Sequence, residues 1–138
     1  MPPHKYAAQW TDQILLRCPY HICLCRSKEQ FYYELKRLKF RPQIWQDWEY
    51  GASAAVHFYK KRNGNLYAFV CIKDKGKEVD PNDIVGALTH EAVHIWQHIL
   101  VFFGEDAPGQ EIESYCIESL TKKLLRAYSE LAAKEKGK

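Results

Sequence analysis

The five residues from His90 to His94 form the motif H-E-x-x-H. If this run is helical, His90 and His94 lie on one face about 6 Å apart along the axis, and two imidazoles at that separation can share one metal ion. Glu91 then lies beside the metal, where its carboxylate can take a proton from a metal-bound water. The motif therefore predicts a catalytic zinc site in which Glu91 is the general base.

A catalytic zinc ion takes three protein ligands and leaves one position open for water. The third ligand should come from an element that packs against the motif, and the last predicted helix offers Glu111 and Glu113. On a helical wheel Glu113 falls near the centre of the apolar stripe of that helix, whereas Glu111 points largely away from it. A carboxylate within a core-facing stripe needs a partner, so the wheel favours Glu113 as the third ligand.

His98 continues the i, i+4 series beyond His94. It lies about 12 Å along the helix axis from His90, which is too far for the two side chains to share one ion. We therefore expect His98 to be a supporting or surface histidine, and Gln97 is a second candidate for support of the metal ligands.

The motif lies inside a predicted helix that runs from Pro81 to Gly104. Asp80 is a favourable N-cap, Pro81 suits the first helical position, and Gly104 is a natural C-cap. Apolar residues recur along this helix at helical spacing: Ile84, Val85, Leu88, Val93, Trp96, Ile99 and Leu100. Two histidines and a carboxylate in such a helix are unfavourable unless they bind something, which favours a metal over the alternative of partly buried, satisfied side chains.

A β-hairpin is predicted before the motif helix. Ser53 to Lys60 and Leu66 to Lys73 each alternate apolar residues along one face, as half-buried strands do. The Asn63-Gly64 pair between them supplies the positive φ angles that a hairpin turn needs. This hairpin is the clearest β element in the chain.

The remaining elements complete an α+β pattern. Lys5 to Arg17 predicts a short amphipathic helix, and Tyr20 to Cys25 predicts a strand. Ser27 is a good N-cap for a helix from Lys28 to about Leu38. The last helix begins near Gln110 and carries one apolar stripe: Ile112, Cys116, Leu120, Leu124, Ala127 and Leu131. We expect a single domain over residues 1–138.

Composition gives no support to several classes of function. The net charge of +3 comes from 20 basic and 17 acidic residues, so no nucleic-acid partner is expected. No uninterrupted apolar run, Ile99 to Phe103 among them, approaches the roughly 18 residues of a membrane span, so no membrane partner is expected either. Five cysteines are an odd number, and the chain opens without an apolar signal segment, which together favour a reducing cytoplasm.

The motif H-E-A-V-H, followed by a glutamate on the next helix, resembles the gluzincin class of zinc metallopeptidases. In that class two histidines and a downstream glutamate hold zinc, and the motif glutamate is the general base. Many members read E-x-x-[A/S]-[D/N] at the third ligand. Glu111 to Tyr115 fits this pattern with Glu111 as the ligand and Tyr115 at the usual Asp or Asn position, so the resemblance supports Glu111 where the wheel favours Glu113.

A narrower resemblance covers most of the chain. H-E-A-V-H-I-W-Q with a downstream E-x-E-[A/S]-Y is similar to small uncharacterised proteins carried by bacteriophages, which also have a P-Y-H-I-x-L-C stretch like Pro19 to Cys25. The resemblance implies a zincin-like fold, a zinc cofactor and cleavage of a protein or peptide substrate in the cytoplasm of a bacterial host. The alternative is a non-catalytic protein of the same scaffold that binds a host or phage protein.

Two further parts of the site follow from the gluzincin resemblance. The oxyanion of the reaction needs a hydrogen-bond donor, and Tyr115, Tyr128 and His57 are the candidates. In zincins the strand before the motif helix commonly aligns an extended substrate. Here that strand would be Leu66 to Lys73, acting by strand addition.

Overall fold

A four-stranded mixed sheet carries helices on both of its faces. The computed structural model describes residues 4–11, 18–48, 53–76 and 78–136. Along the chain the elements are β1 (Gln9–Trp10), β2 (Tyr20–Cys25), α1 (Lys28–Arg37), a 3-10 turn (Pro42–Ile44), β3 (Ala54–Lys60), β4 (Leu66–Ile72), α2 (Pro81–Phe103) and α3 (Gln110–Lys136). The predicted α+β class is confirmed at this level.

The two faces of the sheet form two core clusters. One face packs against α2 and α3, where Leu88, Ile95 and Leu120 are fully buried. The other face packs against α1, where Phe31 and Leu35 are fully buried. The apolar alternation predicted for the hairpin is confirmed, because alternate residues of β3 and β4 contribute to opposite clusters.

The sheet has the strand order β1-β2-β4-β3. β4 pairs with β2 in parallel and with β3 in antiparallel orientation, so both of its edges are occupied. A strand paired on both sides has no free N–H and C=O groups for another chain. The expectation that Leu66 to Lys73 aligns a substrate by strand addition is therefore wrong, and the hairpin arm at the edge of the described sheet is β3.

Local signals set the ends of α2 as predicted. The Asp80 side chain accepts a hydrogen bond of 2.8 Å from the backbone N–H of Asn82, and Pro81 occupies the first turn. Gly104 ends the helix with φ of 69°, a left-handed conformation that glycine adopts without steric penalty. The H-E-x-x-H motif therefore lies in the middle of a 23-residue helix.

Helix α1 also begins as predicted, at Ser27. The Ser27 hydroxyl accepts a hydrogen bond from the backbone N–H of Gln30. The Gln30 side chain reaches back to the backbone N–H of Arg26, at 2.7 Å, one residue earlier than in a standard capping box. Two backbone N–H groups at the start of α1 are thus paired with side-chain oxygens.

Two predictions are wrong, one about the segment before β2 and one about the buried stripe of α3. In the described part of Lys5 to Arg17, Gln9–Trp10 is a strand and not a helix, because it pairs with β2 along an edge that would otherwise be unpaired; residues 12–17 lie outside the described residues. Ile112 is 56% exposed and does not join the buried stripe of α3, since it falls outside the sector of the helix that faces α2.

We expect Ile95→Ala to destabilise the protein by about 2–5 kcal/mol, because Ile95 is fully buried between α2 and the sheet. Val101→Ala on the same helix is the matched control, since Val101 is 81% exposed and should change stability by less than about 0.5 kcal/mol. Urea unfolding of both variants measures the difference. Equal effects would contradict the packing of α2 described above.

Candidate metal centre

His90 and His94 point towards each other from successive turns of α2. Their Nε2 atoms are 3.0 Å apart, and their rings are 4.7 Å apart at an angle of 74°. In a tetrahedral zinc site with Zn–N bonds of 2.0–2.1 Å, two ligand nitrogens lie roughly 3.3 Å apart. The pair therefore fits two positions of a zinc coordination sphere after a small adjustment of the side chains.

Gln97 orients the ring of His94. The Nδ1 atom of His94 lies 3.2 Å from Oε1 of Gln97. An amide oxygen can only accept, so this hydrogen bond requires a proton on Nδ1 of His94. In the neutral ring Nε2 is then the acceptor of the contact with His90 Nε2, and its lone pair would become available to a metal once the His90 proton leaves. In metal sites such partners orient histidine ligands. The supporting role of Gln97 stays a prediction.

Glu91 lies between the histidine pair and the sheet. Glu91 is only 4% exposed. This is unusual for a glutamate, because its side chain is charged in water at neutral pH. Burial raises the pKa of the Glu91 carboxyl, and the neighbouring His90 and His94 oppose that shift. A carboxyl group whose pKa is raised holds and returns a proton more readily near neutral pH, as a general base and acid must.

An open cleft of about 380 Å³ runs between α2 and the edge strand β3. Four residues of each element line it: Ala54, Ala55, Val56 and Phe58 from β3, and His90, Glu91, His94 and His98 from α2. All three polar residues of the motif thus face one cleft. The β3 wall could not be predicted from the sequence, because it depends on which hairpin arm lies at the edge of the sheet.

The two candidate third ligands lie on α3. Glu113 accepts a hydrogen bond of 2.9 Å from the indole N–H of Trp96, and Glu111 is exposed. Trp96 is two residues beyond His94, about 200° around α2, so Glu113 approaches α2 on another side from the histidine pair. Within the described residues no three His, Cys, Asp or Glu side chains converge on one point. The structure brings two predicted ligands together and does not bring a third to them.

The predicted oxyanion donors lie away from the cleft. Tyr115 is 61% exposed on α3. The Tyr128 hydroxyl donates to the Asp74 carboxylate, and burial together with this bond raises the pKa of Tyr128 to about 12. His57 stacks on Phe31 in the cluster beneath the other face of the sheet. None of these three side chains lines the cleft.

No protein family, curated protein or solved structure matches the chain. Among the described helices none is both long and apolar enough to cross a membrane. Because no similar protein is found, the case for a metal centre rests on the geometry of the cleft.

We expect the purified protein to bind zinc, and His90→Ala and His94→Ala each to lose it, because each substitution removes one of two converging nitrogens. His21→Ala is the matched control, since the His21 ring packs against Tyr67, outside the cleft. Metal analysis after dialysis against a weak chelator measures the bound zinc. Equal zinc contents in all four proteins would contradict the proposed ligands.

Proposed function

We propose that the protein is a zinc-dependent metallopeptidase of the gluzincin type, in which His90 and His94 are zinc ligands and Glu91 is the general base. The observation that carries this proposal is the approach of the two imidazole nitrogens to 3.0 Å beside a buried carboxyl group. All three groups face the same cleft, which has space for part of an extended peptide.

The chemistry divides between the metal and the chain. Zinc, when bound, polarises a carbonyl group and makes water more acidic. Glu91 takes the proton of the attacking water and returns it to the departing amine, and its burial suits both steps because it keeps the pKa of the carboxyl raised. Gln97 keeps the His94 ring in the tautomer whose lone pair is on Nε2.

The edge strand β3 gives a substrate a backbone to pair with. β3 pairs with β4 on one side only in the described sheet, and its residues Ala54 to Phe58 form one wall of the cleft. An extended peptide can add to such an edge through main-chain hydrogen bonds, while its side chains contact the cleft. We propose that β3, in place of β4, aligns an extended substrate by strand addition.

Glu113 is our proposed third ligand, with Glu111 as the alternative. Of the two carboxylates, Glu113 is the one that already contacts α2, through Trp96. To reach the histidine pair its carboxylate must leave the Trp96 indole, so binding of zinc would be coupled to a rearrangement between α2 and α3. Tyr115, two residues further along α3, is 61% exposed outside the cleft, so it could act as the proposed oxyanion donor only if the same rearrangement brought it to the histidine pair.

A non-catalytic protein that binds a host or phage protein is the second candidate function. It is favoured by the absence of a third ligand beside His90 and His94 within the described residues. A cleft beside an edge strand suits the capture of a peptide with or without hydrolysis. For either function we propose the cytoplasm of a bacterial host, because all five cysteines are free, buried thiols.

We expect Glu91→Gln to abolish cleavage of a broad peptide library, with a loss of about 10²–10⁴-fold, because the amide cannot accept the proton of the water. Zinc should remain bound, since Glu91 is not a ligand. Glu118→Gln is the matched control: Glu118 pairs with Lys122 on the surface of α3 and should cleave like the wild type. Zinc-loaded wild type that cleaves no peptide would favour the binding function.

We expect Glu113→Ala to weaken zinc binding by about 100-fold or more and Glu111→Ala to change it by less than about 2-fold, because only Glu113 faces α2. Competition with a fluorescent chelator measures both affinities. The reverse order would make Glu111 the third ligand. Wild-type affinity in both variants would exclude both residues.

A further inference from the structure

Three contacts orient the His98 ring at one end of the cleft. Its ring stacks on Phe58 with centroids 3.5 Å apart and an angle of 11°. Tyr20 meets it edge-on at 6.4 Å, and its Nδ1 atom lies 3.1 Å from the backbone carbonyl oxygen of His94. An exposed side chain with three such contacts is oriented before any ligand binds.

The contact with the carbonyl determines which nitrogen of His98 can accept. A carbonyl oxygen only accepts hydrogen bonds, so Nδ1 must carry the proton. In the neutral ring Nε2 therefore has a free lone pair, and His98 lines the cleft. A phenylalanine would provide the same stacking on Phe58, so the nitrogen is what a histidine adds at this position.

The distance from the histidine pair suits an extended peptide. His98 is one helical turn beyond His94, about 6 Å along the axis, which corresponds to roughly two residues of extended chain. On the opposite wall, Ala54 to Phe58 covers about 13 Å, close to the 12 Å from His90 to His98. Both walls therefore end at the same place, where Phe58 and His98 are in contact.

We propose that Phe58 and His98 form a side-chain subsite that binds an N–H-donating side chain, arginine, lysine, asparagine or glutamine, about two residues from the bond at the histidine pair. The acceptor Nε2 favours a donor. It disfavours a carboxylate, and among the described residues none of the eight that line the cleft is a lysine or arginine that would attract one. The position relative to a cleaved bond rests on the proposed function, whereas the binding preference does not.

Peptide capture without cleavage tests this subsite. The Glu91→Gln protein, with and without added zinc, is exposed at pH 8 to an array of hexapeptides in which each position is varied in turn. We expect about 3–10-fold stronger capture of peptides with a donor side chain at one position, in line with one added hydrogen bond. The same preference should disappear when His98→Phe is combined with Glu91→Gln.

His98→Phe is chosen because it keeps a ring stacked on Phe58 and removes only the nitrogens. Its melting temperature and zinc content should match those of the parent, and His98→Leu repeats the test if the first variant does not fold. A donor preference that persists without the imidazole, a preference for acidic side chains, or no selective capture at all would overturn the subsite.

Cleavage by the wild type separates this inference from the proposed function. Selective capture that depends on His98, with no cleavage by zinc-loaded wild type, would support the subsite and overturn the peptidase proposal. Cleavage with no preference that depends on His98 would overturn the subsite alone.

Discussion

Helix α2 buries one face against the sheet, and the candidate site depends on the rotation that this packing fixes. Leu88 and Ile95 are fully buried, which turns Glu91 towards the protein interior. His90 and His94 lie roughly 100° and 60° around the helix from Glu91, at the border between the sheet and solvent. A helix rotated by one residue would either bury both histidines or expose the carboxyl group. The rotation of α2 about its axis therefore determines both its packing and the placement of the site residues.

The elements that local signals define could be predicted from the sequence. A cap at Asp80, a left-handed glycine at Gly104 and an Asn-Gly turn each act within a few residues, and the helix and hairpin form where those signals lie. Strand pairing is a long-range property. Nothing near β4 in the sequence shows that β2 will lie on its other edge, and nothing near Gln9–Trp10 shows that an unpaired edge of β2 will draw it into the sheet.

The same distinction between local signals and long-range packing applies to the residues of the candidate site. His90 and His94 belong to one helix, so their spacing alone determines that their nitrogens can meet. A third ligand depends on how α3 is placed against α2. The wheel identified Glu113 as the acid that faces α2, but a wheel describes angles around one axis only, and it could not show that Glu113 would meet α2 at Trp96, on another side from the histidines.

The cleft is also formed by a continuous part of the chain. The described residues that line it all lie between Ala54 and His98, in a hairpin closed by a short turn and the helix that follows. Pairing of β2 with β4 joins Tyr20 to Leu66, about 46 residues apart. The entropic cost of closing this loop is roughly 2 kcal/mol greater than that of closing the hairpin. We therefore expect the hairpin to form before the parallel pair, so that the β3 wall of the cleft comes from the part of the sheet that folds early.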